Sequence, residues 1–339
     1  MKAAVYLGGG QFELLEKPVP KLLPGESLLE VSRVGICGTD LRICQGHMKN
    51  RVHPGRILGH EAVATIRETC QDGKFKTGDR VAVEPKIFCE TCVPCRQGFT
   101  NVCENLCVLG IDADGAFQQF WAVPDHRLHH VPEAIAEDHA AMIEPLAVAV
   151  HAVRLSAVQP GQTVAVIGAG TIGLMIATLA RKKGAAVVVL EINPHRMEFA
   201  RRLQFEVLNS AELNNTRAAS RFASGSEASV IFEASGAAEG ARLMTALAAV
   251  RGRVILVGIH NEQTPTDLNQ IFVRELSIQG TRAYSGSDFK EAIRLLSTGE
   301  INLASYVSKH YPLSQLQAAM EYALSGAPTM KILIDVRES

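Results

Sequence analysis

The chain is poor in aromatic residues: Phe, Tyr and Trp make up 5% of its 339 residues, with a single Trp. So little aromatic surface argues against a pocket built for a bulky aromatic substrate. Nor is there an excess of charge of one sign. Lys and Arg number 34 against 35 Asp and Glu, a formal net charge of -1. That balance excludes a general electrostatic binder of nucleic acid. No apolar run approaches the ~20 residues needed to span a bilayer. The opening residues, Met1-Lys2-Ala3-Ala4-Val5-Tyr6-Leu7, read as a short apolar strand without the longer apolar core and cleavage site of a signal peptide. Long linkers, low-complexity tracts and internal repeats are missing too. What is there is an ordinary globular balance, 47% hydrophobic and 20% charged. The length suits about two domains at ~150 residues each. Eight cysteines without an export signal predict a cytoplasmic, reducing setting in which thiols stay available to metal.

Two patterns divide the chain. Up to about residue 148 it is rich in Gly, Pro and short β-type runs, such as 27–31, 62–66 and 79–83, punctuated by turn signals at Pro24-Gly25 and Thr77-Gly78-Asp79. This reads as a small barrel-like β domain. Residues 140–156 turn alanine- and valine-rich with helical period. From Gln162 strands and helices alternate: a strand at 163–167, a helix at 171–183, and strands at 186–190, 229–232 and 253–257. That alternation predicts a parallel α/β sheet. Helices at 288–298 and 313–325 and a strand at 331–336 complete the reading. The apolar runs 253–257 and 275–280 are candidates for a sheet edge at which copies of the chain could pair.

Cys89, Cys92, Cys95 and Cys103 follow the spacing Cys-x2-Cys-x2-Cys-x7-Cys. Four soft thiolates make a closed tetrahedral shell suited to structural zinc, with no position open for chemistry. Cys107 competes with Cys103 for the last place, and an iron–sulfur centre is the rival occupant. Cys44, Cys70 and Cys107 are then free thiols.

The strand at 163–167 runs into Gly168-Ala169-Gly170-Thr171-Ile172-Gly173, a Gly-x-Gly-x-x-Gly turn opening a helix. The first Gly turns the chain, the second admits a pyrophosphate and the third lets helix and strand pack closely. The next strand ends at Glu191, where an acid binds the ribose hydroxyls and disfavours a 2′-phosphate. NAD is therefore expected rather than NADP. Arg196 lies nearby and is read first as a surface helix cation.

A second metal site needs an open position. Cys37 in Val34-Gly35-Ile36-Cys37-Gly38-Thr39-Asp40 and the pair in Gly59-His60-Glu61 could supply one. Adjacent strand residues face opposite ways, so His60 and Glu61 share a metal only if the backbone is irregular there. Otherwise Glu61 stands behind the ligands, with an arginine as its expected partner.

Cys37-Gly38-Thr39-Asp40, Gly59-His60-Glu61, the four-cysteine lobe and the glycine turn stand in the order seen in zinc-containing medium-chain alcohol dehydrogenases, which the chain resembles over essentially its whole length. The resemblance implies a GroES-like β-barrel catalytic domain from 1–148 and 286–339, with the zinc lobe at about 86–108. It implies a Rossmann doubly wound parallel sheet at 149–285, about two zinc ions per chain, and a homodimer or homotetramer. Ile143-Glu144-Pro145-Leu146 and the segment 110–117 resemble the polyol and sugar-acid branch, which includes sorbitol, threonine and galactonate dehydrogenases. Glu144 is thus a candidate ligand, alternating with or assisted by Glu61, beside Cys37 and His60. Thr39 matches the hydroxyl that carries the alcohol proton away. Where the family's relay has a histidine this chain has Arg42, so the proton's route passes to water, the cofactor ribose or His47. Arg42 could instead hold an anionic substrate. The implied activity is NAD-dependent oxidation of a secondary alcohol on a small polyhydroxylated substrate. Threonine-type or simple alcohol dehydrogenation, and a catalytically silent dinucleotide binder, are the alternatives.

Overall fold

Contacts divide the chain into two units, Met1–Pro145 with Ser285–Ser339 and Leu146–Tyr284. They were traced in a computed structural model that describes residues 1–69, 74–213, 222, 227–260 and 262–337. Cys70, expected as a free thiol, lies outside the described residues.

The first unit is built on a seven-stranded sheet. Its strands run in the order Val307–Pro312, Lys331–Asp335, Glu26–Gly35, Glu61–Thr69, Arg80–Val83 and Leu128–His130, with Phe120–Pro124 also pairing with Glu26–Gly35. All neighbours are antiparallel except the first two. Glu26–Gly35 and Glu61–Thr69 carry nearly continuous buried positions, as central strands covered on both faces should. Their Val, Ile and Leu side chains join one core with Ile332, Ile334, Phe117 and Trp121.

The second unit is a six-stranded, all-parallel sheet with the spatial order Glu206–Asn209, Ala186–Glu191, Thr163–Ile167, Ala228–Glu233, Ala248–Leu256, Ser277–Gly280. In chain order this is 3-2-1-4-5-6, the doubly wound arrangement that reverses beside its first strand. Every residue of Thr163–Ile167 is buried. The strand expected at 253–257 is the end of a longer one, Ala248–Leu256, paired on both sides. It is therefore not an edge. Ser277–Gly280 is one edge strand among the described residues, with Glu206–Asn209 at the opposite end. Among the described residues no helix is long and apolar enough to cross a membrane.

Candidate active site

Cys37 follows directly from Glu26–Gly35 and caps the helix Gly38–Cys44, its amide donating to Asp40 Oδ2 at 2.8 Å. His60 sits just before the neighbouring strand, which starts at Glu61. Gly59 has φ +93, a left-handed turn that favours glycine. His60 is thereby outside the strand's alternation, and His60 and Glu61 can both face Cys37. The donor atoms of Cys37, His60 and Glu61 lie within 4.8 Å of one another. His60 and Glu61 are buried and Cys37 is half-buried.

Its polar surroundings fit a cation. His60 Nδ1 lies 3.9 Å from Asp40 Oδ1, and both atoms are buried without a hydrogen bond. The Asp40 carboxylate thus stands beside the ring as a nearby negative charge. Burial opposes a charged His60, yet Cys37, Asp40 and Glu144 outweigh it and hold the imidazole well above its ordinary pKa. A surplus of negative donors around a buried imidazole is a donor set made for a metal ion.

Glu61 is ion-paired to Lys331, which also donates to the Ile36 carbonyl at 3.0 Å. The cation behind Glu61 is therefore a lysine from the last strand rather than an arginine. Glu144 lies in the first turn of Ile143–Ser156 and outside the compact three-residue group. Its charge still acts on His60, Lys331 and Lys86. Lys86 is itself buried and pairs with Glu84 at 3.3 Å, and Glu84 meets His129 at 3.0 Å. Thr39 occupies the first turn of the helix behind Cys37, half-buried.

The sulfurs of Cys89, Cys92, Cys95 and Cys103 form a separate group. Cys103 Sγ is 3.5 Å from Cys89 Sγ and 3.9 Å from Cys92 Sγ. A tetrahedral shell with metal–sulfur bonds of about 2.3 Å has edges of roughly 3.8 Å, whereas a disulfide is about 2.05 Å. Hydrogen bonds from Thr91 and the Cys92 amide pull the Cys89 thiol down to about 5, favouring thiolate. Cys107 is outside this group, held in a strand pair opposite Ile87. Burial and Asp40 push the Cys44 thiol up to about 12, which leaves it unreactive at neutral pH.

In the second unit the glycine turn joins Thr163–Ile167 to the helix Thr171–Lys182 at the point where strand order reverses. A Cβ on Gly173 would collide with the Gly168 carbonyl, while one on Gly170 would meet nothing. The third glycine serves packing, and the second faces open space at the helix N-terminus. Glu191 is buried. Its Oε2 accepts the Ala169 amide at 2.7 Å, and its Oε1 accepts those of Ile192 and Asn193 at 2.8 and 3.0 Å. The acid is thus fixed beside the glycine turn with lone pairs remaining for hydroxyl donors. Thr171 and Ile172 open the helix, and Arg196 is exposed on Pro194–Arg202.

Asp40, Lys331 and Glu233 were not assigned roles from sequence. Glu233 is fully buried at the end of the fourth strand. Its carboxylate accepts the Ser235 and Gly236 amides at 2.9 and 3.1 Å and the Ser235 hydroxyl, and it faces His260 Nε2 at 3.1 Å. Its carbonyl accepts the Val257 and Gly258 amides, both at 2.8 Å. One residue therefore ties together two loops at the carboxyl end of the sheet, and the first of them packs on Gly168. Glu233→Gln leaves an amide where an acceptor is needed. We expect about a tenfold weaker affinity for NADH, read by its fluorescence, with the alcohol KM little changed.

Residues 23–133 match the family model described as alcohol dehydrogenase GroES-like domain, and residues 171–298 match zinc-binding dehydrogenase. The chain is 37% identical to a 2-dehydro-3-deoxy-L-galactonate 5-dehydrogenase of Pseudoalteromonas atlantica, covering 99% of this chain and 98% of the relative. It is 34% identical to the L-galactonate-5-dehydrogenase of Escherichia coli, covering 91% and 92%. Among solved structures it resembles an alcohol dehydrogenase from E. coli CFT073 complexed with NADH, with TM-score 0.92 and 28% identity over 99% of each chain. Together with the glycine turn and the two cysteine-bearing groups, these likenesses place the chain in the zinc-containing medium-chain alcohol dehydrogenases, on their polyol and sugar-acid branch.

Proposed function

We propose that this protein oxidises a secondary alcohol of a polyol or sugar acid to a ketone, with NAD as acceptor and Cys37, His60 and Glu61 as the ligands of a catalytic zinc. The observation that carries this is the gathering of those three donor atoms within 4.8 Å of one another, with His60 and Glu61 buried and Cys37 half-buried. Zinc bound there supplies Lewis-acid polarisation of the alcohol oxygen, and the nicotinamide supplies the hydride acceptor. Asp40 orients the His60 ring. Lys331 balances the Glu61 charge while leaving one carboxylate oxygen for the metal. Glu144 faces the same group from its helix as the nearby carboxylate. Thr39 Oγ1 takes the alcohol proton and passes it on, since a hydroxyl accepts and donates at once.

The four-cysteine lobe holds a second, structural zinc, and these thiolates suit a reducing cytoplasm. Glu191 selects NAD by repelling a 2′-phosphate. A screen for NADH and NADPH formation with aldonates, polyols, simple alcohols and threonine tests the reading. Turnover of polyols or aldonates with NAD supports it; turnover of threonine alone, or NADP preferred over NAD, contradicts it.

The free edge Ser277–Gly280 and the neighbouring helix Leu268–Val273 support a homodimer or homotetramer. Leu268 is 73% exposed and Phe272 82%, apolar surface that pairing of two copies would cover. Phe272→Asp is expected to shift the mass found by light scattering toward the monomer.

A further inference from the structure

Residues 42–56 contain Arg42, Lys49, Arg51 and Arg56 and no acidic residue. Two of these charges are neutralised from the segment 112–114. Arg51 grips Asp112 with two bonds of 2.5 and 2.6 Å, and Arg56 reaches Asp114 at 3.4 Å. These pairs pin the loop and leave its tip positive. Residues 46–51 line an open concavity of about 480 Å³, within the range of small-molecule sites. His47 and Lys49 line it and are exposed. Gly46, at φ +84, makes the turn over which the Lys49 side chain folds. Arg42 stands in the last turn of the helix that leads into the loop. That helix, Gly38–Cys44, begins at Cys37 and has seven residues. At 1.5 Å per residue the loop starts about 10 Å from Cys37, a distance comparable to an extended sugar-acid chain.

We propose that this concavity is the subsite for the carboxylate of a sugar acid, held by Lys49 and His47 while a hydroxyl further along the chain lies at Cys37, His60 and Glu61. A carboxylate matches the site better than a phosphate. The fork of Arg51, the group best shaped for phosphate, is already engaged by Asp112, and the remaining lysine is a point charge. The inference rests on the polyol and sugar-acid reading and narrows it to acids.

The test compares galactonate with galactitol, which differ at one end by a carboxylate in place of an alcohol. Their binding to the zinc-loaded protein with NADH is measured by calorimetry, for the wild type and for a His47→Ala/Lys49→Ala double variant. The wild type is expected to bind galactonate about tenfold more tightly than galactitol, with the margin shrinking as salt is raised. The variant is expected to lose that margin, with galactitol affinity changed less than about twofold. Equal wild-type affinities, a preference that survives in the variant, or no galactonate binding at all overturns the subsite. Turnover assays on the same samples separate the two readings. Oxidation of galactitol without any preference for the acid leaves the dehydrogenase reading standing and removes the subsite. Galactonate binding that depends on Lys49 without turnover of any polyol or aldonate does the reverse.

Discussion

Cys37→Ser lowers kcat/KM by at least about a thousandfold, a loss of roughly 4 kcal/mol in transition-state stabilisation. Serine has nearly the same shape but is a hard, neutral donor in place of a soft thiolate, so the three-donor group loses its strongest zinc ligand. Cys37 also begins the helix Gly38–Cys44 in a capping box with Asp40, a place that serine fills well. The fold should therefore survive. Metal analysis should show the zinc content reduced by half, because Cys89, Cys92, Cys95 and Cys103 form their own shell. Retained activity with both metals bound would remove Cys37 from the catalytic centre.

Lys331→Met is expected to destabilise the protein by about 3–5 kcal/mol, because removing one partner of a buried pair strands the other charge. Lys331 and Glu61 are 4% and 1% exposed at the side chain. The melting temperature should fall on the order of 10 °C. Burial works against a charged Lys331, but Glu61 and Cys37 outweigh it and raise its pKa above the ordinary lysine value. The pair's contribution is then fully present below the unfolded lysine pKa and is lost as pH rises through the higher folded value. The gap between wild type and variant should accordingly stay constant near neutrality and close only in strongly alkaline solution. Adding Glu61→Gln should recover part of the loss, since the stranded charge is gone; full additivity of the two substitutions would show that they are uncoupled.

The parts of the molecule legible in the sequence are those whose physics is local. Thr163–Ile167 could be read because four consecutive apolar residues before a glycine turn have few alternatives, and the strand occupies those residues and Thr163. Cys37 and Thr39 stand on one helix start, and the four cysteines lie within a short lobe. The unread parts depend on distant strands meeting. Lys331 is 270 residues from Glu61, and nothing around it in sequence marks a buried charge. It arrives because Lys331–Asp335 pairs with Glu26–Gly35, which also pairs with the strand that begins at Glu61. Of the two candidate edges, 275–280 contains the edge strand and 253–257 lies inside the sheet, because an apolar run shows that a strand is buried, not which neighbours it has. His60 and Glu61 could not be placed on one side from alternation alone. The turn at Gly59, packed against Phe117 and Val34, resolves that.

Whether the Cys37, His60 and Glu61 group is the catalytic zinc site is decided by zinc titration of the metal-stripped protein, following NADH formation from galactonate and NAD. No activity is expected until the Cys37, His60 and Glu61 group fills, with full activity at about two zinc ions per chain and no recovery in Cys37→Ser at any zinc level. Full activity in the metal-free protein, or in Cys37→Ser, would contradict that assignment.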